Sequence, residues 1–289
     1  MGEMDGKTVL ITGATNGIGK VAALELAKKG ATVVIVGRNP AKTAETVAEI
    51  KAQSGNSNVD SIVADLSSMA EVRKVAEAFK AKHSRLDVLI NNAGAIFADR
   101  QETVDGYEMT FAFNHLAYFL LTNLLLDTLR ASAPSRIVSV SSDAHTGGKI
   151  NFDDLNAKNS YGMLGMSAYS NSKLANVMFT YELARRLEGT GVTANVLHPG
   201  LVNTGFAKNN GGLMRFAMRI LASFSLTPEQ GADTIIYLAS SPDVEGVTGK
   251  YWDKRKAVKS IDASYDVSAQ QRLWTVSQQL TGLAETAGV

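Results

Sequence analysis

The chain contains no cysteine in 289 residues. Disulfide frameworks, thiolate nucleophiles and thiolate-held metals are therefore excluded, and a reducing, cytoplasmic setting is the expectation. A surplus of one charge is also missing: 29 Lys and Arg face 28 Asp and Glu, a formal net charge of +1. That balance gives no electrostatic reason to expect a nucleic-acid or anionic-membrane partner. Long apolar runs are absent as well. The most apolar stretch, LAYFLLTNLLL at 116–126, is interrupted by Thr122 and Asn123 and has about half the ~20 residues a bilayer requires, so it reads as a buried helix. The opening MGEMDGKTVLITG has no basic-then-apolar order of a signal peptide, and residue 6 is glycine where a myristoylation motif wants Ser or Thr. Four histidines (His83, His115, His145, His198) share no ligand spacing, and no G-x-S-x-G elbow occurs. All four read as structural or surface residues, and the carboxylates Asp153 and Asp154 read as a solvated turn.

What is present is an alternation. TVLIT (8–12), TVVIVG (32–37), VDSIVA (59–64), LDVLIN (86–91), RIVSVS (136–141) and VTANVLH (192–198) are short β-branched runs. Helical patterns separate them, starting near Gly17, after Pro40, after Ser68, over Val104 to Arg130, and around Tyr169. Strands joined by crossover helices require a parallel sheet covered on both faces, and near-continuous apolar strands are the mark of that double burial. The expectation is an α/β chain forming a single doubly wound Rossmann domain over 1–289, with a mostly parallel seven-stranded sheet. No linker, repeat or low-complexity stretch divides it. Residues 201–226, an apolar stretch after the sixth strand, read as a substrate lid, and 266–289 as a helical tail packed on the body or on a partner subunit.

TGATNGIG joins the first strand to the first helix. Gly13, Gly17 and Gly19 permit a tight turn and close approach of a pyrophosphate, with Thr15, Asn16 and Ile18 filling the loop and amides directed at phosphate. An NAD site ends the second strand with an acid that accepts the ribose hydroxyls. Here the strand ends VGRN, with Gly37 in that position and Arg38 next to it. A guanidinium without a neighbouring carboxylate suits a 2′-phosphate, so the cofactor expected is NADP(H). Asp65, followed by Leu66, reads either as an acceptor for the adenine amino group or as a cap on the next helix.

YSNSK places Tyr169 and Lys173 four apart, one helical turn, where a cation beside a phenol pulls its pKa toward neutrality. With TGATNGIG, NNAG (91–94), Asn114, VSS (140–142) and HPG (198–200), the chain resembles the short-chain dehydrogenase/reductases from Lys7 to Tyr251. It is most similar to their branch of retinol dehydrogenases and the WW-domain-containing oxidoreductase, on SRIVSVSSDAHTGGKINFDDLN and AYSNSKLANVMFTYELARRLEGTGVTANVLHPG. That resemblance implies Tyr169 as general acid/base, Lys173 lowering its pKa and binding the nicotinamide ribose, Ser142 donating to the substrate oxygen, and Asn114 holding a helix and a proton-relaying water. It implies cofactor contacts from Asn91, Ala93 and Gly94, and a carboxamide-holding stretch at Pro199, Val202 and Thr204. A homodimer or homotetramer through the helices holding Asn114 and Tyr169 is implied too.

Ser142 and Tyr169 are separated by a longer excursion than in compact family members, and Tyr161, Met163, Leu164 and Met166 within it, with Phe97, read as the lining of a wide apolar pocket. The expected function is NADPH-dependent interconversion of a hydrophobic ketone or aldehyde and its alcohol, without a membrane partner. A non-catalytic dinucleotide sensor or scaffold and a carbon–carbon double-bond reductase are the alternatives.

Overall fold

The computed structural model describes residues 2–202 and 226–283. β1 (Thr8–Thr12), β2 (Thr32–Gly37), β3 (Val59–Val63), β4 (Val88–Asn91), β5 (Ser135–Val140), β6 (Val192–Leu197), β7 (Tyr251–Asp253) and β8 (Lys256–Val258) form one sheet in the order β3-β2-β1-β4-β5-β6-β7-β8. β1 to β7 pair parallel and β8 pairs antiparallel with β7. The sheet thus has eight strands where seven were expected. The added strand closes a hairpin whose turn residues, Lys254 and Arg255, both have positive φ (47° and 60°). Asparagine and glycine are the residues that usually mark such a turn, so a Lys-Arg pair gives no turn signal in the sequence.

Side chains along the strands divide between two cores, as a period of two requires. Leu10, Val34, Val36, Leu89 and Ile137 face one core, with α3 (Met69–Lys82), α5 (Ala117–Ala131) and α6 (Met166–Arg186). Val9, Ile11, Val33, Ile35 and Ile90 face the other, with α1 (Gly17–Lys28), α2 (Pro40–Ser54) and α7 (Pro228–Ser240). The neighbours of β1 are β2 on one side and β4 on the other. The chain therefore reverses its winding there, and a crevice opens beyond the carboxyl ends of these strands.

Two departures from the sequence reading bear on the site. The helix expected from Val104 begins at Met109: Gly106 has φ 80°, Val104 is 88% exposed, and the Glu108 carboxylate caps the helix by accepting from the amides of Thr110 and Phe111. After the short α4 (Met109–Phe111) the backbone widens into a π turn, Ala112–Leu116, before α5 resumes. Such turns recur at functional sites because the extra residue re-aims its neighbours, and this one carries Asn114. The stretch Met109–Ala131 is long and apolar enough to cross a membrane by length and composition, and most of it is buried in the core beside α6.

The expected tail helix is α8 (Val267–Thr281), which packs on α5 and α6 of its own chain. Trp274 meets Phe119 and Phe179 with ring centroids 4.9 and 5.9 Å apart, and the Arg186 guanidinium lies 4.3 Å from the Trp274 ring centroid. Of the lid reading at 201–226, all but Leu201, Val202 and Leu226 lies outside the described residues, as does Thr204.

Candidate active site

At the reversal point the ends of β1 and β4 are laced together. Thr12 Oγ1 accepts from the amides of Asn92 (2.9 Å) and Ala93 (3.0 Å), while Asn92 Nδ2 donates to the carbonyls of Thr12 (2.8 Å) and Gly13 (3.2 Å). Gly13 has φ 68°, and a Cβ there would lie 2.7 Å from the Ala93 Cα. Glycine is thus required twice at this position, by conformation and by contact. A side chain on Gly19 would collide with the Asn92 amide. The loop Gly13, Thr15, Asn16, Gly17, Ile18 is thus held at Gly13 against Ala93 and at Gly19 against Asn92, and the first amides of α1 have no intrahelical acceptor.

Asn92, the second asparagine of the NNAG motif, makes these contacts, which the motif's spacing alone does not single out. Asn91 itself turns away: its Nδ2 donates to Thr122 Oγ1 on α5 at 2.9 Å, within the core. Its contribution to the crevice is therefore through the chain it anchors.

At the far end of the crevice, Arg38 and Asp65 stand side by side, Nη1 to Oδ2 3.9 Å, both largely exposed. Asp65 Oδ1 accepts from the amide and hydroxyl of Ser67 in the turn before α3, and its Oδ2 faces Arg38, so it does not act as the cap of that helix. The α3 start is capped from elsewhere, the Met69 amide donating to Asp105. Leu66 is buried in the core below.

Asn114, Ser142, Tyr169 and Lys173 converge from the π turn, the end of β5 and the first turns of α6. Asn114, fully buried, pairs with the backbone of Ala95 in both directions, Nδ2 to the carbonyl and Oδ1 from the amide, each 2.9 Å, and also donates to Ser172 Oγ at 3.0 Å. Ser142 hydrogen-bonds the Tyr169 hydroxyl and accepts from the Ala144 amide at 3.2 Å. Lys173, 2% exposed, donates to the Val140 carbonyl at 3.1 Å. Its Nζ sits between two phenol rings, 5.7 Å from the Tyr169 centroid and 6.0 Å from that of the fully buried Tyr118.

A Cβ on Gly94 would lie 3.1 Å from Lys173 Nζ and 3.6 Å from Asn114 Oδ1. The bare backbone there leaves the lysine facing the crevice.

Burial governs the ionisation of this group. It pushes the Tyr169 phenol up to about 12, against the opposing hydrogen bond from Ser142, and pulls Lys173 down to about 7. Desolvation thus acts on the phenol against the lowering expected from the ammonium. Desolvation disfavours the charged form of both partners, and a lysine that is losing its own charge exerts a weak field on its neighbour.

Around the ring of Tyr169 lie Ile96, Leu164 and Ala144, an apolar shelf of which only Leu164 was foreseen. Tyr161 ties the 143–165 excursion to the Phe97 carbonyl at 2.7 Å. Met163 and Met166, expected to line the pocket, are 84% and 46% exposed in the described residues. Pro199 is half-buried after β6. Val202 packs with Ile18 against Gly231 at the start of α7, which brings the segment after β6 onto the glycine loop.

His145 supports Ser142 from behind, Nδ1 to the serine carbonyl at 2.9 Å. His115 stands on the π turn, next to Asn114. Both are structural as expected, yet both touch groups that shape the site.

The sequence family described as short chain dehydrogenase matches residues 7–212. Human retinol dehydrogenase 14 is 45% identical across 98% of this chain and 88% of its own, and human polyprenol dehydrogenase is 42% identical across 96% and 86%. A crystal structure of an uncharacterized protein from Mycobacterium paratuberculosis superposes with a TM-score of 0.77 at 34% identity, covering 96% of this chain and 94% of that one. A short chain dehydrogenase from Burkholderia cenocepacia, solved in complex with NADP, gives 0.69 at 28% identity over 86% and 96%. The switch-point crevice, the glycine loop and the Tyr169–Lys173 pair are thus those of a short-chain dehydrogenase/reductase of the retinol dehydrogenase-like branch, an oxidoreductase family that binds a nicotinamide dinucleotide, and the chain belongs to it.

Proposed function

We propose that the protein is an NADPH-dependent carbonyl reductase working in the cytoplasm on a bulky apolar aldehyde or ketone, with the alcohol as product. The observation that carries this reading is the meeting of Ser142 with Tyr169, of Tyr169 with Lys173, and of Lys173 with Gly94, next in the chain to the glycine loop's partner Ala93. The crevice fits the dinucleotide: Gly13 takes a positive φ and packs its backbone on Ala93, Gly19 packs on Asn92, and a helix start follows the loop, the arrangement that receives a pyrophosphate. The residues that would hold it are the 13–19 loop, Asp65 with Leu66, the Asn91–Gly94 backbone, Lys173, and the stretch at Pro199, Val202 and Thr204.

NADP(H) is favoured at the second strand's end. A Cβ at Gly37 would collide with Thr43 and Thr15, so an acid for the ribose hydroxyls is sterically excluded. Arg38 next to it, exposed and 3.9 Å from the Asp65 carboxylate, would turn its planar fork from that contact to a 2′-phosphate.

When bound, the dinucleotide supplies hydride to the carbonyl carbon. Tyr169 gives its phenolic proton to the carbonyl oxygen as the carbon is reduced, and Ser142, within hydrogen-bonding reach of that phenol, donates to the same oxygen while negative charge builds there. Lys173 holds the ribose side of the crevice and resupplies the proton through Asn114 and a water. With its pKa raised to about 12, the phenol is fully protonated at working pH, and an alkoxide is a far stronger base than a phenolate. Proton donation to the alkoxide is therefore downhill, which suits the phenol to act as the general acid of the reductive step.

Isoprenoid alcohols in the names of two relatives, retinol and polyprenol dehydrogenases, and the apolar shelf of Ile96, Leu164 and Ala144, support a long apolar substrate. The test is the loss of reduced-nicotinamide absorbance with NADPH or NADH against a panel of hydrophobic aldehydes and ketones. NADPH outperforms NADH, and alcohol oxidation, which needs the phenolate, gains more from rising pH than reduction does. Tight NADPH binding without turnover on any panel member would mark a sensor instead. A saturated carbonyl product from an unsaturated substrate would mark a double-bond reductase.

A further inference from the structure

Beneath the site runs a buried chain of polar groups that begins on the C-terminal helix. Ser277 on α8 contacts His115 Nε2 at 2.9 Å, His115 Nδ1 contacts Asn176 Oδ1 at 3.3 Å, and Asn176 Nδ2 donates to the Asn114 carbonyl at 2.9 Å. Asn114 Nδ2 then donates to Ser172 Oγ at 3.0 Å, and Ser172 donates to the Tyr169 carbonyl at 2.7 Å. Asn114, His115, Ser172, Asn176 and Ser277 are all fully buried.

The polarity of this chain has one solution. A carbonyl cannot donate, so Asn176 must turn its NH₂ toward Asn114 and its oxygen toward His115. The histidine then carries its proton on Nδ1, and Nε2 must receive the Ser277 hydroxyl proton. Burial, which pulls His115 down to about 4, keeps the ring neutral and this single tautomer in place.

We infer that Ser277 and His115 are positioning residues for the Tyr169–Lys173 pair: α8 latches through them and Asn176 onto the π turn, and this latch sets where Asn114 stands. The inference rests on the reductase reading above for its kinetic consequences. Asn114 anchors Ala95 through two hydrogen bonds, and Gly94, next along the chain, has its Cβ position against both Lys173 Nζ and Asn114 Oδ1. A shift of the π turn therefore moves the backbone opposite the lysine, where small displacements have large kinetic cost. An ordinary core serine has no such route to the reacting groups.

The experiment compares Ser277→Thr with Ser277→Val in the full chain. The two side chains have the same shape and differ in the hydroxyl. Steady-state kinetics use NADPH and the best aldehyde of the panel, and amide hydrogen exchange is followed over residues 112–118. Leu280→Ala, on the same helix and outside the polar chain, serves as the control for lost packing.

The threonine variant retains the parent kcat and slow exchange. The valine variant loses about tenfold in kcat with KM for NADPH within about twofold, and its 112–118 amides exchange faster. Leu280→Ala lowers Tm and leaves kcat unchanged. Equal kcat and exchange in the threonine and valine variants would overturn the inference, as would a kcat loss in Leu280→Ala matching that of valine at the same Tm. If the parent turns over none of the panel, the reductase reading fails by itself. The exchange rates over 112–118 then decide the latch: unchanged rates in the valine variant refute it.

Discussion

The two ends of the crevice are built by opposite means. Around β1 to β3, α1 and α2, the buried polar side chains among the described residues are four threonines, Thr8, Thr12, Thr43 and Thr46. The shape there comes from side chains left out, at Gly13, Gly19 and Gly37, and from backbone amides. Across α4 to α6 the interior instead holds Asn114, His115, Ser172, Lys173 and Asn176, all paired with one another or with backbone. A phosphate-bearing ligand needs space and fixed dipoles, which glycine and a helix start provide at little cost. Proton transfer needs atoms held to a fraction of an ångström, and a low-dielectric hydrogen-bonded lattice does that.

Substitutions at the two ends should accordingly fail in different ways. The largest effect is expected from Tyr169→Phe, which keeps the ring and its apolar shelf: kcat falls by roughly 10³-fold while NADPH affinity, read by fluorescence titration, stays within about twofold. Loss of nucleotide binding in that variant would show that the division between the ends is false. Next is Arg38→Ala at the exposed end. NADPH affinity drops about tenfold or more, NADH affinity is unchanged, and kcat at saturation is retained. An equal loss for both dinucleotides would remove the 2′-phosphate from the argument.

A third effect is on stability, read on a different scale, and it belongs to the catalytic end. Lys173 is pulled from 10.5 down to about 7 in the folded chain, so between those values the unfolded state binds one more proton. Stability therefore rises with pH across that window, by about 1.4 kcal/mol per unit at most, and the gain is absent below about pH 7. Urea denaturation of the parent shows the rise, and Lys173→Met flattens it.

Legibility in the sequence follows the same division. The strands β1 and β2, the glycine loop and Arg38 could be read because local spacing specifies them: a positive φ or a missing Cβ appears as a glycine at a fixed distance from a strand. Tyr169 and Lys173 were legible for the same reason, one helical turn apart. The lattice beneath them was not, because Ser277 and His115 are 162 positions apart and neither carries a local signature. Burial outweighing the lysine's field at Tyr169 was equally hidden, since proximity along a helix says nothing of solvent. β8 escaped because three exposed residues after a Lys-Arg turn have neither alternation nor a turn signal. The late start of the helix before Asn114 depended on Gly106 and on a glutamate acting as a cap, a role in which Asp, Asn, Ser and Thr are the usual residues.

Trp274, set against Phe119 and Phe179 and roofed by Arg186, carries a consequence for company. The long helices that bear Asn114 and Tyr169 already have a neighbour, supplied from their own carboxyl terminus. A second molecule reaching those same faces would have to displace Trp274 and would break the Ser277 contact in doing so.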